Sequence, residues 1–189
     1  MPFSALGLSP SLCLPLARLG YTQPTPIQVD AIPRVLAGGD LLARAQTGTG
    51  KTAAFGLPMI DLLLVRNRRR ADPRKPRGLV LVPTRELALQ VSTALATYGA
   101  PAGLKVAAVF GGVPMRAQVQ SLRKGLDVVV ATPGRLMDHM QQRTVELSAV
   151  EVLVLDEADR MLDMGFLPDV RRILQKVPND RQTLLFSAT

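Results

Sequence analysis

A chain of 189 residues, 47% hydrophobic and 20% charged, has the balance of a soluble globular protein and the length for one domain with a sizeable core. Its single cysteine, Cys13, excludes an internal disulfide and fits a reducing compartment, and with a single histidine, His139, a Cys/His metal cluster is excluded too. The net charge of +8 leaves two readings open, a polyanionic partner or a solvated basic surface.

Taken in order, the chain starts with Met1-Pro2-Phe3-Ser4, which lacks the basic region of a signal peptide. Ser9-Pro10 opens a short helix whose Leu12, Leu16 and Leu19 share a face, and Gly20 closes it. Cys13, between Leu12 and Leu14, is expected to be a buried thiol. Pro24 and Pro26 stiffen the next approach, and Pro26 suits the first turn of a helix to about Leu36. Leu41-Leu42-Ala43 reads as a strand, and Ala53 to Val65 as a helix. Arg66 to Arg77 is a basic, exposed loop, either solvated or touching nucleic acid. Strands then alternate with helices: Leu79–Val82, a helix from Thr84, Val106–Phe110, a helix from Pro114 to about Lys124, Asp127–Ala131, and a helix to Gln141 carrying His139 on its surface. Val152–Leu155, helices near 158–162 and 168–176, and Thr183–Phe186 complete the pattern. Apolar strands without alternation require a sheet covered on both faces, so the fold class is α/β, with a mostly parallel sheet and helices on both faces. No apolar run approaches the ~20 residues of a membrane span.

Between the first strand and its helix lies Ala45-Gln46-Thr47-Gly48-Thr49-Gly50-Lys51-Thr52. Glycines let the backbone curl so that N–H groups converge on an anion, and the helix start adds partial positive charge. Lys51 can reach the β/γ-phosphates and the Thr52 hydroxyl can ligate Mg2+. Ala45 stands where the strict phosphate-loop pattern has glycine. Downstream, an apolar strand ends in Asp156-Glu157. Asp156 is placed to hold Mg2+, directly or through water, and Glu157 to orient and deprotonate an attacking water.

These residues resemble the DEAD-box RNA helicases, whose name is spelled by Asp156-Glu157-Ala158-Asp159. The other motifs of that family's first RecA-like P-loop NTPase lobe occur in order. Gly20-Tyr21 through Gln28 resembles the Q motif, with Phe3 as the isolated upstream aromatic, and residues 45–52 resemble motif I, where the family also uses alanine first. Pro83-Thr84-Arg85-Glu86-Leu87-Ala88 resembles motif Ia, Gly111-Gly112 the glycine doublet, Thr132-Pro133-Gly134-Arg135 motif Ib, and Ser187-Ala188-Thr189 motif III. The run from Asp156 to Leu167, with Gly111-Gly112-Val113-Pro114, is most similar to the bacterial RhlE-type branch.

The resemblance implies ATP with Mg2+ as the ligands and RNA as the partner. It assigns Phe3 to stacking on the base and Gln28 to reading its edge, with Tyr21 and Thr25 shaping the pocket and Thr47, Gly48, Thr49, Gly50, Lys51 and Thr52 holding phosphates. Lys51, Asp156 and Glu157 are the implied catalytic residues, and Thr52 and Asp156 the implied metal ligands. Pro83, Thr84, Arg85, Gly111, Gly112, Thr132, Pro133, Gly134 and Arg135 are the implied RNA contacts, made to the phosphate backbone without sequence preference. Taken singly, each of those loops also reads as ordinary helix capping. Asp159, Ser187 and Thr189 are implied to couple the nucleotide to closure of a second lobe.

Two units are expected: residues 1–28 as a Q-motif region packed on the lobe, and 29–189 as the ATP-binding domain itself. No second-lobe motif is present, so the chain reads as a fragment of a two-lobed, monomeric, cytoplasmic enzyme with no membrane association. Alone it is expected to bind ATP and not to unwind RNA. A P-loop ATPase acting on DNA and a nucleotide- or RNA-binding module without turnover are the alternatives.

Overall fold

The computed structural model describes residues 2–46, 48–66 and 74–189. A 3-10 turn, Phe3–Leu6, leads into α1 (Pro10–Arg18) and α2 (Pro26–Leu36), and a second 3-10 turn spans Ala100–Ala102. Strand and helix then alternate: β1 (Leu41–Arg44), α3 (Lys51–Val65), β2 (Gly78–Leu81), α4 (Arg85–Gly99), β3 (Val106–Val109), α5 (Met115–Arg123), β4 (Val128–Ala131), α6 (Pro133–Gln141), β5 (Val152–Leu155), α7 (Ala158–Asp163), α8 (Leu167–Leu174) and β6 (Gln182–Ser187). The strands form one 6-stranded sheet in the order β1-β6-β5-β2-β4-β3. Every pairing in it is parallel, so the expectation of a mostly parallel sheet is met in full among the described residues.

The apolar strands are explained by two cores. Successive strand residues point to opposite faces. Val80, Val128, Val130, Val152, Val154, Leu184 and Phe186 face one core with α1, α2, α3 and α4. Leu79, Leu81, Val129, Leu153 and Leu155 face the other, where Leu122 of α5, Leu136 of α6, Met161 of α7 and Ile173 of α8 pack. Helix α3 is buried on nearly all sides, from Ala53 to Ile60 without interruption, which accounts for its uniform hydrophobicity. Phe3, Leu6, Leu8, Leu12 and Leu16 belong to the same core as α3, so the first residues of the chain are packed onto the sheet-bearing body.

Three expectations need correction here. His139 is not on the surface: it is 0% exposed, because the face of α6 it occupies is turned against α5. Cys13 is only half-buried, its Sγ directed at the Leu8 carbonyl at 3.7 Å, since α1 lies at the rim of its core. The basic loop is not simply exposed. Residues 67–73 fall outside the described residues, but Arg77 is buried, donating to Glu151 at 2.6 Å and to the Leu63 carbonyl at 2.8 Å. Arg66 and Lys75 pair with Glu151 and Glu146 at 3.3 and 3.1 Å.

Candidate nucleotide site and the adjoining loops

Because every strand runs the same way, all the loops that follow strands gather at one end of the sheet. The strand order sorts them. β1, β6 and β5 lie together and carry the phosphate loop, Ser187-Ala188-Thr189 and Asp156-Glu157. β2, β4 and β3 lie together and carry Pro83–Arg85, Thr132–Arg135 and Gly111-Gly112.

On the first half, Ala45 is still tied to the sheet through its N–H to the Ser187 carbonyl at 2.9 Å. Gly48 and Gly50 take φ of 81° and 91°, a region that residues with a Cβ avoid. At Gly50 a second constraint acts: a Cβ there would stand 2.4 Å from the Gln28 amide nitrogen. Gly50 caps α3 with no side chain, so the first N–H groups of the helix stay open toward an anion. Thr47 lies outside the described residues.

Lys51 is 7% exposed, and its ammonium has no hydrogen-bond partner among the described residues. Asp156 Oδ1 stands 3.9 Å away. A buried ammonium held only at that distance is under-compensated for its lost hydration, and an incoming polyanion supplies what is missing. Asp156 is 2% exposed. Burial pushes its pKa up to about 6, against the opposing pull of the Lys51 charge and the Glu157 N–H, which donates to it at 2.9 Å. Glu157 has φ 51° and ψ 49°, uncommon for a residue with a side chain, and Arg160 holds its carboxylate at 3.2 Å. Asp159 accepts from the Thr189 N–H at 3.1 Å, the Thr189 hydroxyl at 2.9 Å and the Ala188 N–H at 3.2 Å. Slight desolvation raises its pKa, but the hydrogen bonds from Thr189, Arg160 and Ser187 outweigh this and lower it.

The start of α2, expected from the sequence to read the base, is wired to the glycine-rich loop. Thr25 and Gln28 form a capping box at the start of α2. The Thr25 hydroxyl also donates to the Thr49 carbonyl at 2.8 Å, and Gln28 Nε2 to the Gly50 carbonyl at 3.1 Å. Gln28 Oε1 takes the Thr25 N–H at 2.9 Å. A primary amide offers two hydrogens and two lone pairs, so Gln28 keeps one donor and one acceptor, both oriented. That pair matches the acceptor and donor on the adenine edge. Phe3 departs from its expected place: it is 4% exposed and packs edge-on against Tyr21 at 6.1 Å, behind the pocket wall. Tyr21 reaches the cavity and its hydroxyl meets that of Tyr98 at 2.7 Å.

These groups enclose a cavity of about 530 Å3. Its further walls include Thr84, expected as an RNA contact, with Glu86 and Leu87 beside it, and groups that were not legible in the sequence: Gln90, Ala94 and Tyr98 of α4, and Arg160 of α7. The four-residue spacing of the α4 set was the available signal.

Thr52 lines the cavity beside Asp156. Among the described residues no cluster of acidic, Cys or His side chains forms a complete metal cage. A hydroxyl and one carboxylate, both hard oxygen donors, fit Mg2+ that arrives with phosphates and keeps several waters.

On the second half, Thr84 caps α4, its hydroxyl accepting from the Leu87 N–H at 3.2 Å. Arg85 is exposed, with its guanidinium 5.2 Å above the Phe110 ring. Gly111 and Gly112 are exposed, and Gly112 has φ of 80°. Thr132 and Gly134 are partly exposed, whereas Pro133 is buried at the first position of α6. Arg135 turns inward, donating to the Val113 carbonyl at 2.9 Å and to Gln118 Oε1 at 3.2 Å.

Comparison with known proteins agrees with this geometry. The family model described as DEAD/DEAH box helicase matches residues 25–189. The chain is 49% identical over 191 residues to the ATP-dependent RNA helicase CshA of Limosilactobacillus reuteri, covering 100% of this chain and 37% of that protein. It is 49% identical over 187 residues to the protein of the same name from Listeria monocytogenes serovar 1/2a, covering 99% of this chain and 35% of that one. Among solved structures it resembles a hypothetical ATP-dependent RNA helicase from Sulfolobus tokodaii, with a TM-score of 0.85, 38% identity, and coverage of 95% of this chain and 50% of that chain. The chain therefore spans about a third of the length of these curated relatives, and its sheet is that of a RecA-like α/β lobe.

Proposed function

Because the chain belongs to the DEAD/DEAH box helicase family, we propose that it is the ATP- and RNA-binding first lobe of an RNA helicase that couples ATP hydrolysis to remodelling of RNA. The observation that carries this reading is the buried, unbonded Lys51 ammonium facing Asp156 across a cavity rimmed by the open start of α3.

In this reading Gly48, Thr49, Gly50 and Lys51 bind the phosphates, with Thr47 contributing from the same loop, and Gln28 selects adenine over guanine with its one free donor and one free acceptor. Thr52 and Asp156 would hold Mg2+, which when bound neutralises charge that builds on the phosphate oxygens. Glu157 orients the attacking water and takes its proton. Its release from Arg160 frees the carboxylate for that task. Asp159, bonded to Thr189 and near Ser187, links the nucleotide end of β5 to the end of β6, where a second lobe docks. Thr84, Arg85, Gly111, Gly112, Thr132 and Gly134 bind RNA phosphates, with Pro83 and Pro133 shaping the loops and Arg135 bracing them.

We treat residues 1–28 as the Q-motif region and 29–189 as the ATP-binding domain. The whole protein is proposed to act as a cytoplasmic monomer with a second RecA-like lobe, of the RhlE-type branch. No helix among the described residues is long and apolar enough to cross a membrane. The deciding experiment is Glu157→Gln in the protein carrying both lobes. ATP binding persists and RNA-stimulated turnover falls by about 10²-fold or more; unchanged turnover removes Glu157 as the base. Competition of RNA against DNA for ATPase stimulation separates this reading from a DNA motor.

A further inference from the structure

His139 is the only histidine of the chain, fully buried, and takes no part in the nucleotide chemistry. Both of its ring nitrogens are engaged. Nδ1 lies 2.8 Å from the Thr144 hydroxyl, and Nε2 lies 3.0 Å from Oε1 of Gln118, itself 7% exposed. The direction of these bonds follows from their far ends. Gln118 Nε2 donates to the Phe110 carbonyl at 2.9 Å, which turns its Oε1 toward His139 and toward Arg135. A carbonyl oxygen only accepts, so a hydrogen sits on His139 Nε2, and the single hydrogen of the Thr144 hydroxyl is shared between Nδ1 and the His139 carbonyl, 3.0 Å away. Burial, then the neighbouring Arg135 charge, hold the ring neutral by lowering its pKa, against the weaker pull of Asp138.

The network ends on the carbonyls that flank Gly111-Gly112. Phe110 is held by Gln118 and Val113 by Arg135. The exposed glycine pair thus hangs between two fixed carbonyls. Arg135 and His139 lie four residues apart on one face of α6, the helix that starts at Thr132-Pro133-Gly134. Arg85 rests on the ring of Phe110, the residue whose carbonyl Gln118 holds.

We infer that His139 is a positioning residue for RNA: through Gln118 it fixes the glycine pair against the start of α6, so that the two loops meet successive phosphates of one strand in a set register. This rests on the reading of those loops as RNA contacts. An apolar side chain could fill the same space, but it would leave Gln118 Oε1 with Arg135 alone and free the amide to turn. A fully satisfied polar network of this kind selects one arrangement of its elements. None of Gln118, Arg135, His139 and Thr144 lines the cavity that holds Lys51, so loss of the network is expected to leave the nucleotide site unchanged.

The test uses the two-lobed protein, a labelled single-stranded oligouridylate and a non-hydrolysable ATP analogue, with RNA affinity measured across salt concentrations. His139→Ala is expected to weaken RNA binding about 5–10-fold and to reduce the slope of log affinity against log salt by about one unit. The affinity for the analogue without RNA stays within about twofold. His139→Gln, which keeps an N–H within reach of Gln118, is expected to recover RNA affinity to within about threefold of the parent. A folded His139→Ala protein with lower thermal stability but parental RNA affinity and salt slope overturns the inference and leaves His139 a core residue. Should His139→Ala not fold, Thr144→Val, of the same shape, takes its place: a twofold to threefold loss (about 0.4–0.7 kcal/mol) is expected, and parental RNA binding overturns the inference. Parental protein that binds no RNA overturns the reading of the loops themselves, and the positioning role falls with it.

Discussion

At Lys51 the fold holds a charge it does not satisfy. Its ammonium is 7% exposed and unbonded, with Asp156 at 3.9 Å. Replacing it by an apolar chain of similar length removes a desolvation cost, and Asp156, whose pKa burial already raises, can take up a proton once its cation is gone. Lys51→Met is therefore expected to leave the urea midpoint of the nucleotide-free protein unchanged or raise its stability by about 1 kcal/mol, while ATP binding is lost. Denaturation and nucleotide titration on one preparation check both halves; a clear loss of stability would show that the Asp156 pair outweighs burial. Gly50 makes the opposite kind of site. It has φ of 91° and no room beside Gln28, so Gly50→Ala is expected to cost about 1–3 kcal/mol and to displace the Gln28 amide, proposed to read the base. Weakened discrimination between ATP and GTP would report the displacement. Gly50 was legible in the sequence as a loop glycine. That Gln28 is what excludes a side chain there was not, because the contact joins residues far apart in the chain.

At the scale of elements, α2 and α6 show how helix ends carry the site. Thr25 closes a capping box and also donates to the Thr49 carbonyl. Thr25→Ala should therefore cost about 1–2 kcal/mol, more than an isolated cap, and lower ATP affinity with it. Thermal denaturation with and without ATP measures both effects. Helix α6 carries His139, whose pKa is lowered by burial and by Arg135. The folded state then binds fewer protons than the unfolded chain, whose histidine titrates near about 6.5. Stability from this residue is complete above that pH and is lost as pH falls below it toward the depressed folded value. Asp156, raised to about 6, acts with the opposite sign as pH rises from its unfolded value toward that one. The expected signature is thus a difference: between pH 7.5 and 5.5 the parent loses more stability than His139→Gln does. Equal losses would mean that His139 does not titrate with unfolding. The strands and helices themselves were readable from apolar runs and spacing, with ends shifted by a residue or two. Thr84, expected as a helix start, is the cap just outside α4. His139 was misplaced because the polar face of a short helix looks the same whether it meets water or a matching polar neighbour.

At the scale of the whole molecule, the strand order sets the phosphate loop and Asp156-Glu157 on β1 and β5 and the candidate RNA loops on β2, β4 and β3, with Thr84 and α4 shared because they also wall the cavity. The halves should be separable by mutation. Arg85→Ala is expected to lower RNA affinity about 3–10-fold and reduce the salt slope by about one, with ATP affinity unchanged. A shift in ATP affinity of similar size would argue that the halves are coupled within this lobe alone. The 1–189 chain, purified as such, is expected to bind ATP without separating an RNA duplex, since an arginine supplied across an active site accounts for about 10³–10⁵ in rate in related phosphoryl transfer. Unwinding by that chain would overturn the division of labour proposed for the lobes.

By itself the sequence determined which local chemistry is present: a glycine-rich loop before a helix, a strand ending in adjacent carboxylates, and apolar strands that must be covered on both faces. Those follow from backbone conformation and from burial, which act between neighbours in the chain. Only the tertiary structure decided which of these groups meet. It turned Phe3 behind Tyr21, took Arg135 inward to the Val113 carbonyl, added α4 as a wall of the cavity, and joined His139 to the glycine loop through Gln118. Such contacts depend on strand order and on which helix faces pack together, and neither is fixed by the residues of one segment alone.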